Sequence, residues 1–216
     1  MENEEKRLPG QEAEDAPAAA EQAPVQSAEE AAKPDAVESV YEWLEIFVFS
    51  IAFVMLLFTF VMRLAIVDGQ SMENTLHDKE TLILSNLFYT PEQGDIIVFQ
   101  SPTSVFKTPL VKRVIATEGQ VVDIDFDTWQ VTVDGVPVKE DDYVKYDYIG
   151  GELYRMRQSD VTFPHTVADG CVFVMGDNRN GSSDSRTSGV GDIDTRFVLG
   201  KVLCRIFPLN KIGGLR

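Results

Sequence analysis

The chain has 216 residues, 44% of them hydrophobic, and carries 19 Lys and Arg against 35 Asp and Glu, a formal net charge of −16; this length suits one or two compact domains. Residues 1–45 hold 13 acidic and three basic side chains, net −10, which leaves −6 for the remainder. Such a polyanion is a poor nucleic-acid binder, and two cysteines with two histidines are too few for a disulfide framework or a four-cysteine zinc site.

Residues 1–40 are rich in Glu, Ala, Pro and Gln and nearly devoid of large apolar side chains. They bury too little apolar surface to offset the entropy of ordering, so this segment is expected to be a disordered acidic tail. The run 46–62, IFVFSIAFVMLLFTFVM, then has 17 residues without a charge. At 1.5 Å per residue it falls slightly short of a ~30 Å hydrocarbon core. Letting Arg63 snorkel and adding 64–67 brings it to 22 residues, or about 33 Å of helix. With Tyr41 and Trp43 at the interface, a membrane anchor is predicted over 43–67. A signal-peptide core is shorter and follows a basic segment, which is lacking here. The flanking basic residues, Lys33 on one side and Arg63 and Lys79 on the other, do not fix the orientation.

After the anchor, short alternating apolar runs are predicted as strands at 81–84, 95–99, 110–116, 121–126, 130–133, 172–175 and 200–206, separated by turn residues. The expected fold class is mainly β. Cys171 and Cys204 lie in apolar strands and are expected as buried free thiols, while His77 and His165 flank turns and are expected at the surface.

Three segments bear chemistry. Ser71 follows Gly69 directly after the anchor, in DGQSMENTL; a serine there is either a nucleophile or a turn former. The strand LVKRVIA sets Lys112 beside Val114 and Ala116 on one face, and Arg113 beside Val111 and Ile115 on the other. Burial would depress a lysine pKa and make the amine a general base, whereas at a strand edge both cations would only deter aggregation. The loop GDNRNGSSDSR at 176–186 is either solvated or locked by its arginines and aspartates.

In this order behind one span, GQSMENTL, GDIIVF, VKRV and GDNRNGSSDSR resemble the motifs of bacterial type I signal peptidases, over roughly residues 43–210. The resemblance implies a membrane-anchored serine endopeptidase that removes signal peptides from exported preproteins without a metal or cofactor. Ser71 would be the nucleophile and Lys112 the general base of a Ser/Lys dyad. Ser182 would orient the lysine, Asp184, Arg186 and Asp177 would hold the last loop, and Met72, Gly69 and Gln70 would lie at the substrate. The implied architecture is a β-rich catalytic core (68–119 and 169–216) interrupted by an inserted β subdomain (120–168). Its partners would be signal peptides and the lipid bilayer, with the tail cytoplasmic and the catalytic domain outside the cell membrane. Two positions depart from the family. Gly69 has no hydroxyl to give the oxyanion hole, which must rest on the Ser71 backbone N–H, and Asn74 replaces a usual proline and is expected to loosen one turn. The alternatives are a self-cleaving repressor, which would carry a DNA-binding domain in front, and a non-catalytic membrane-anchored β domain serving assembly or as a chaperone.

Overall fold

The computed structural model describes residues 36–102, 104–157 and 159–215, in two units, Met1–Leu44 and Glu45–Arg216. The expected tail lies outside the described residues up to 35. Residues 36–40 already belong to helix α1 (Ala36–Leu56), which continues through a π-helical turn, Leu57–Val61. The apolar stretch Val37–Thr59 has a mean hydropathy of 2.0, and long enough helices of this kind can cross a bilayer. Its side chains, Phe47 and Phe53 among them, are exposed, which fits a membrane anchor.

The anchor does not extend through 64–67 as the sequence suggested. Arg63–Ile66 is instead a strand, β1, paired with Leu84 to Thr81 of the next strand. The reason is the alternation at 64–67: Leu64 and Ile66 are exposed, while Ala65 is half-buried and Val67 buried. A period of two suits a sheet rather than a helix.

In chain order the remaining strands are β2 (Thr81–Ser85), β3 (Ile96–Phe99), β4 (Leu110–Thr117), β5 (Val121–Ile124), β6 (Val131–Val133), β7 (Val136–Pro137), β8 (Tyr148–Ile149), β9 (Glu152–Leu153), β10 (His165–Thr166), β11 (Cys171–Met175), β12 (Ile193–Asp194), β13 (Val198–Phe207) and β14 (Gly213–Gly214). The main sheet runs β1-β2-β13-β3-β4-β11-β12, with β14 on β13. A second sheet, β10-β5-β6-β7, and the hairpin β8-β9 come from the segment between β4 and β11.

The main sheet is buried on both faces at its centre. Ile96 and Val98 of β3 pack with Met72, Leu76 and Leu82, while Ile97 and Phe99 pack with Val114, Val174 and Ile193. Each such side chain withdrawn from water contributes about 1.5–3 kcal/mol. A bulge breaks the alternation expected on β4: Val174 pairs with Val114 and Phe173 with Ala116, so Ile115 is the extra residue. Ile115 and Ala116 therefore both face the inserted segment, in one cluster with Val131, Trp129 and Phe173. The bulge lies just beyond Lys112 and Arg113, whose own alternation is intact.

Candidate active site

Ser71 sits in a tight loop between β1 and β2. Gly69 occupies φ +105°, a backbone region that side chains resist, and its N–H donates to Asp78 Oδ1 at 2.9 Å. That bond is reinforced by Lys79 N donating to Val67 O at 2.8 Å and Val67 N donating to Glu80 O at 2.9 Å. Past the serine, Met72 O accepts from Thr75 N and Leu76 N. Met72 and Leu76 are buried in the core, which fixes the loop from below.

Lys112, the third residue of β4, then meets this loop. Lys112 Nζ on β4 lies 2.7 Å from Ser71 Oγ and 2.9 Å from Val111 O. The lysine is only 2% exposed. Burial pushes its pKa from 10.5 down to about 8; Asp184 and Asp177 pull it up again, and Arg186 presses it down. An amine so placed is neutral in about a tenth of molecules at pH 7, and in that form it can accept a hydroxyl proton.

The loop after β11 grips the serine loop and, through Arg113, strand β4. Asn178 N donates to Ser71 O at 3.1 Å, and Asn178 Nδ2 to Gln70 O at 3.0 Å. Asp177 receives a two-pronged bond from Arg113, Nε at 2.9 Å and Nη2 at 2.8 Å, and accepts from Thr75 Oγ1 at 2.5 Å. Asp184 accepts from Gly176 N, Ser182 Oγ and Arg186. Burial alone would raise the Asp184 carboxyl, but Arg186 and these donors outweigh it and hold the pKa below the ordinary value. Gly176 must lack a side chain, because a Cβ there would overlap the Ser182 hydroxyl and lie 2.5 Å from Ser71 O.

The structure thus brings together Ser71, Lys112, Asp177, Ser182, Asp184 and Arg186. The Ser182 hydroxyl donates a hydrogen bond to Asp184 Oδ2 at 2.7 Å, and Lys112 bonds Ser71 and Val111 rather than Ser182. A cleft of about 350 Å³ is lined by β1, Ser71, Met72, Lys112 and Val111. Gly69 and Gln70 stand outside that lining and serve to shape and fasten the loop. A larger groove of about 710 Å³, lined by Phe88, Thr117 and Cys171, includes neither Ser71 nor Lys112, which border the smaller cleft. Cys171 and Cys204 are free, and half-buried rather than fully buried. His77 is half-exposed beside Glu80, whereas His165 is packed against Phe163 and Phe173 and bonded to Asp192 at 2.9 Å, not at the open surface.

Several participants were not foreseen from the sequence. Thr75 and Asn178 sat inside motifs whose individual side chains gave no sign of their roles. Glu140 binds Arg179 through two buried bonds of 2.9 and 2.6 Å, and Lys145 N donates to Asp177 O at 2.9 Å. Both come from the inserted segment, where no local pattern marks them.

The family model described as Signal peptidase, peptidase S26, matches residues 40–207. The signal peptidase I of Bacillus licheniformis is 32% identical over 177 residues, covering 81% of this chain and 92% of its own. A probable signal peptidase I-1 of Synechocystis is 30% identical over 192 residues, covering 84% and 90%. A solved signal peptidase I from Enterococcus faecalis V583 aligns with a TM-score of 0.39 at 29% identity, over 52% of this chain and 97% of that one.

Proposed function

Because the chain belongs to the signal peptidase family of S26 peptidases, we propose that it removes N-terminal signal peptides from exported preproteins with a Ser71–Lys112 dyad. The observation that carries this reading is the 2.7-Å bond between Lys112 Nζ and Ser71 Oγ, made by an amine withdrawn from water.

In this mechanism the neutral Lys112 amine takes the Ser71 hydroxyl proton as Oγ attacks the scissile carbonyl carbon. The Ser71 N–H has no acceptor among the described residues, so it is available to the oxyanion; one such donor can be worth about 3–4 kcal/mol. As the C–N bond breaks, the Lys112 ammonium gives its proton to the departing amine, the new N-terminus of the mature protein. Ser71 is left carrying the signal peptide as an ester. Lys112, neutral again, takes a proton from water, whose oxygen attacks the ester carbonyl. Ser71 recovers a proton from Lys112 and the signal peptide leaves with a free carboxylate.

Strand β1 is the sheet edge that borders the cleft. An extended substrate can bond to it through main-chain groups, with small side chains entering the cleft as the A-x-A pattern before signal cleavage sites requires. Helix α1 would anchor the enzyme in the cell membrane, tail inside and catalytic domain outside, beside substrates whose apolar segments lie in the same bilayer.

The test uses the full chain in detergent with a preprotein. Cleavage after a small residue by the wild type, lost in both Ser71→Ala and Lys112→Ala, is the expected result. Undiminished cleavage by Lys112→Ala would remove the dyad.

A further inference from the structure

We propose that Asn74 is a positioning residue for Ser71, acting through a tether between the serine loop and the inserted segment at 140–147. The inference deepens the reading above and rests on it.

Asn74 occupies φ +85°, the left-handed region that asparagine tolerates better than most residues and that proline cannot enter. Its side-chain Nδ2 donates to Val144 O at 3.0 Å, 70 residues away in sequence. The sequence suggested that losing a proline here loosens a turn; the structure has a cross-link in its place. A second bond joins the same two segments one residue earlier, from Lys145 Nζ to Glu73 Oε2 at 2.5 Å.

The far side of this tether is firmly held. Val144 is buried, its N–H donates to Glu140 O at 3.0 Å, and Glu140 is locked to Arg179. Lys145 N reaches Asp177 O, so the inserted segment touches the last loop and the serine loop together. The near side is short. Asn74 is three residues from Ser71, and its neighbour Thr75 donates to Asp177 and to Met72 O. An error in the 74–75 turn is therefore passed to Ser71, whose Oγ must stay within hydrogen-bond reach of Lys112. A displacement of about 1 Å at a reacting group can cost on the order of a hundredfold in rate.

The amide and the backbone conformation can be separated. Asn74→Gly keeps the left-handed conformation and removes the bond to Val144; Asn74→Asp keeps the shape but offers Val144 O no donor. With a preprotein in detergent, both variants are expected to lose about tenfold in kcat while KM holds. The acid limb of the kcat profile is expected to move to higher pH, because a loosened serine loop admits water to Lys112. Thermal unfolding gives the folded fraction for each variant, and kcat is expressed per folded enzyme. Wild-type kcat per folded enzyme in both variants, or a loss with no change in the acid limb, would overturn the proposal. Failure of the underlying reading looks different: the wild type itself would then show no cleavage dependent on Ser71.

Discussion

A lysine withdrawn from water is costly, and at Lys112 the cost has a direction in pH. The folded value of about 8 lies below the ordinary 10.5. Below pH 8 the unfolded chain and the folded protein both hold the proton and the full penalty applies. Between pH 8 and 10.5 the folded amine has lost its proton while the unfolded one keeps it, so stability rises with pH. The size of the shift corresponds to about 3 kcal/mol. Lys112→Met should therefore abolish cleavage yet stabilise the protein at pH 7 by about 1–3 kcal/mol, the range allowing for the two lost hydrogen bonds. Denaturant unfolding at a series of pH values should find the wild type closing that gap between pH 8 and 10.5. The same amine sets the activity profile of the proposed dyad: kcat should fall about tenfold per unit below pH 8, and a flat profile down to pH 6 would exclude lysine as the base.

At the scale of the element, β4 carries two cations on adjacent residues, and alternation sends them to different work. Lys112 meets the serine; Arg113 meets Asp177 and lies 4.0 Å over the Tyr143 ring. Both are fully buried, which the sequence left open between a buried strand and a charged edge. What decides it is the position of β4 between β3 and β11, with partners on both sides, and that pairing is set by residues far along the chain. Removing Asp177 takes the carboxylate out of a buried ion pair with Arg113, so Asp177→Ala should cost about 3–5 kcal/mol, measurable as a lowered denaturation midpoint. The local signals that were legible had short range: the apolar run of α1, the short apolar runs of β3 and β11, and the glycine before Ser71. The bulge at Ile115 was not legible, because only the register against β11 reveals the extra residue. Nor was the β character of 63–66, since four alternating residues beside a long apolar run read equally well as its end.

Over the whole molecule, the candidate site is assembled from segments near residues 71, 112, 144 and 180, none of which can form it alone. Their order and motifs were readable as a family resemblance; the contacts of Glu140, Val144 and Lys145 were not, because each joins residues more than 30 positions apart. In the proposed function, one feature of this assembly would act on substrates rather than on stability. β1 begins two residues after the π-helical turn ends at Val61, and Ser71 follows five residues after β1 ends at Ile66. The junction is stitched down by Ser85 Oγ donating to Val61 O at 2.7 Å. Ten residues of extended chain reach at most about 33–36 Å, so a nucleophile at Ser71 would work at a bounded height above the lipid. The enzyme would then act as a gauge of the spacing between a target's apolar segment and its cut site. Lengthening the Met62–Arg63 junction by a few glycines should leave cleavage of a short soluble peptide unchanged, while shifting the preferred spacing among substrates reconstituted in the same vesicles.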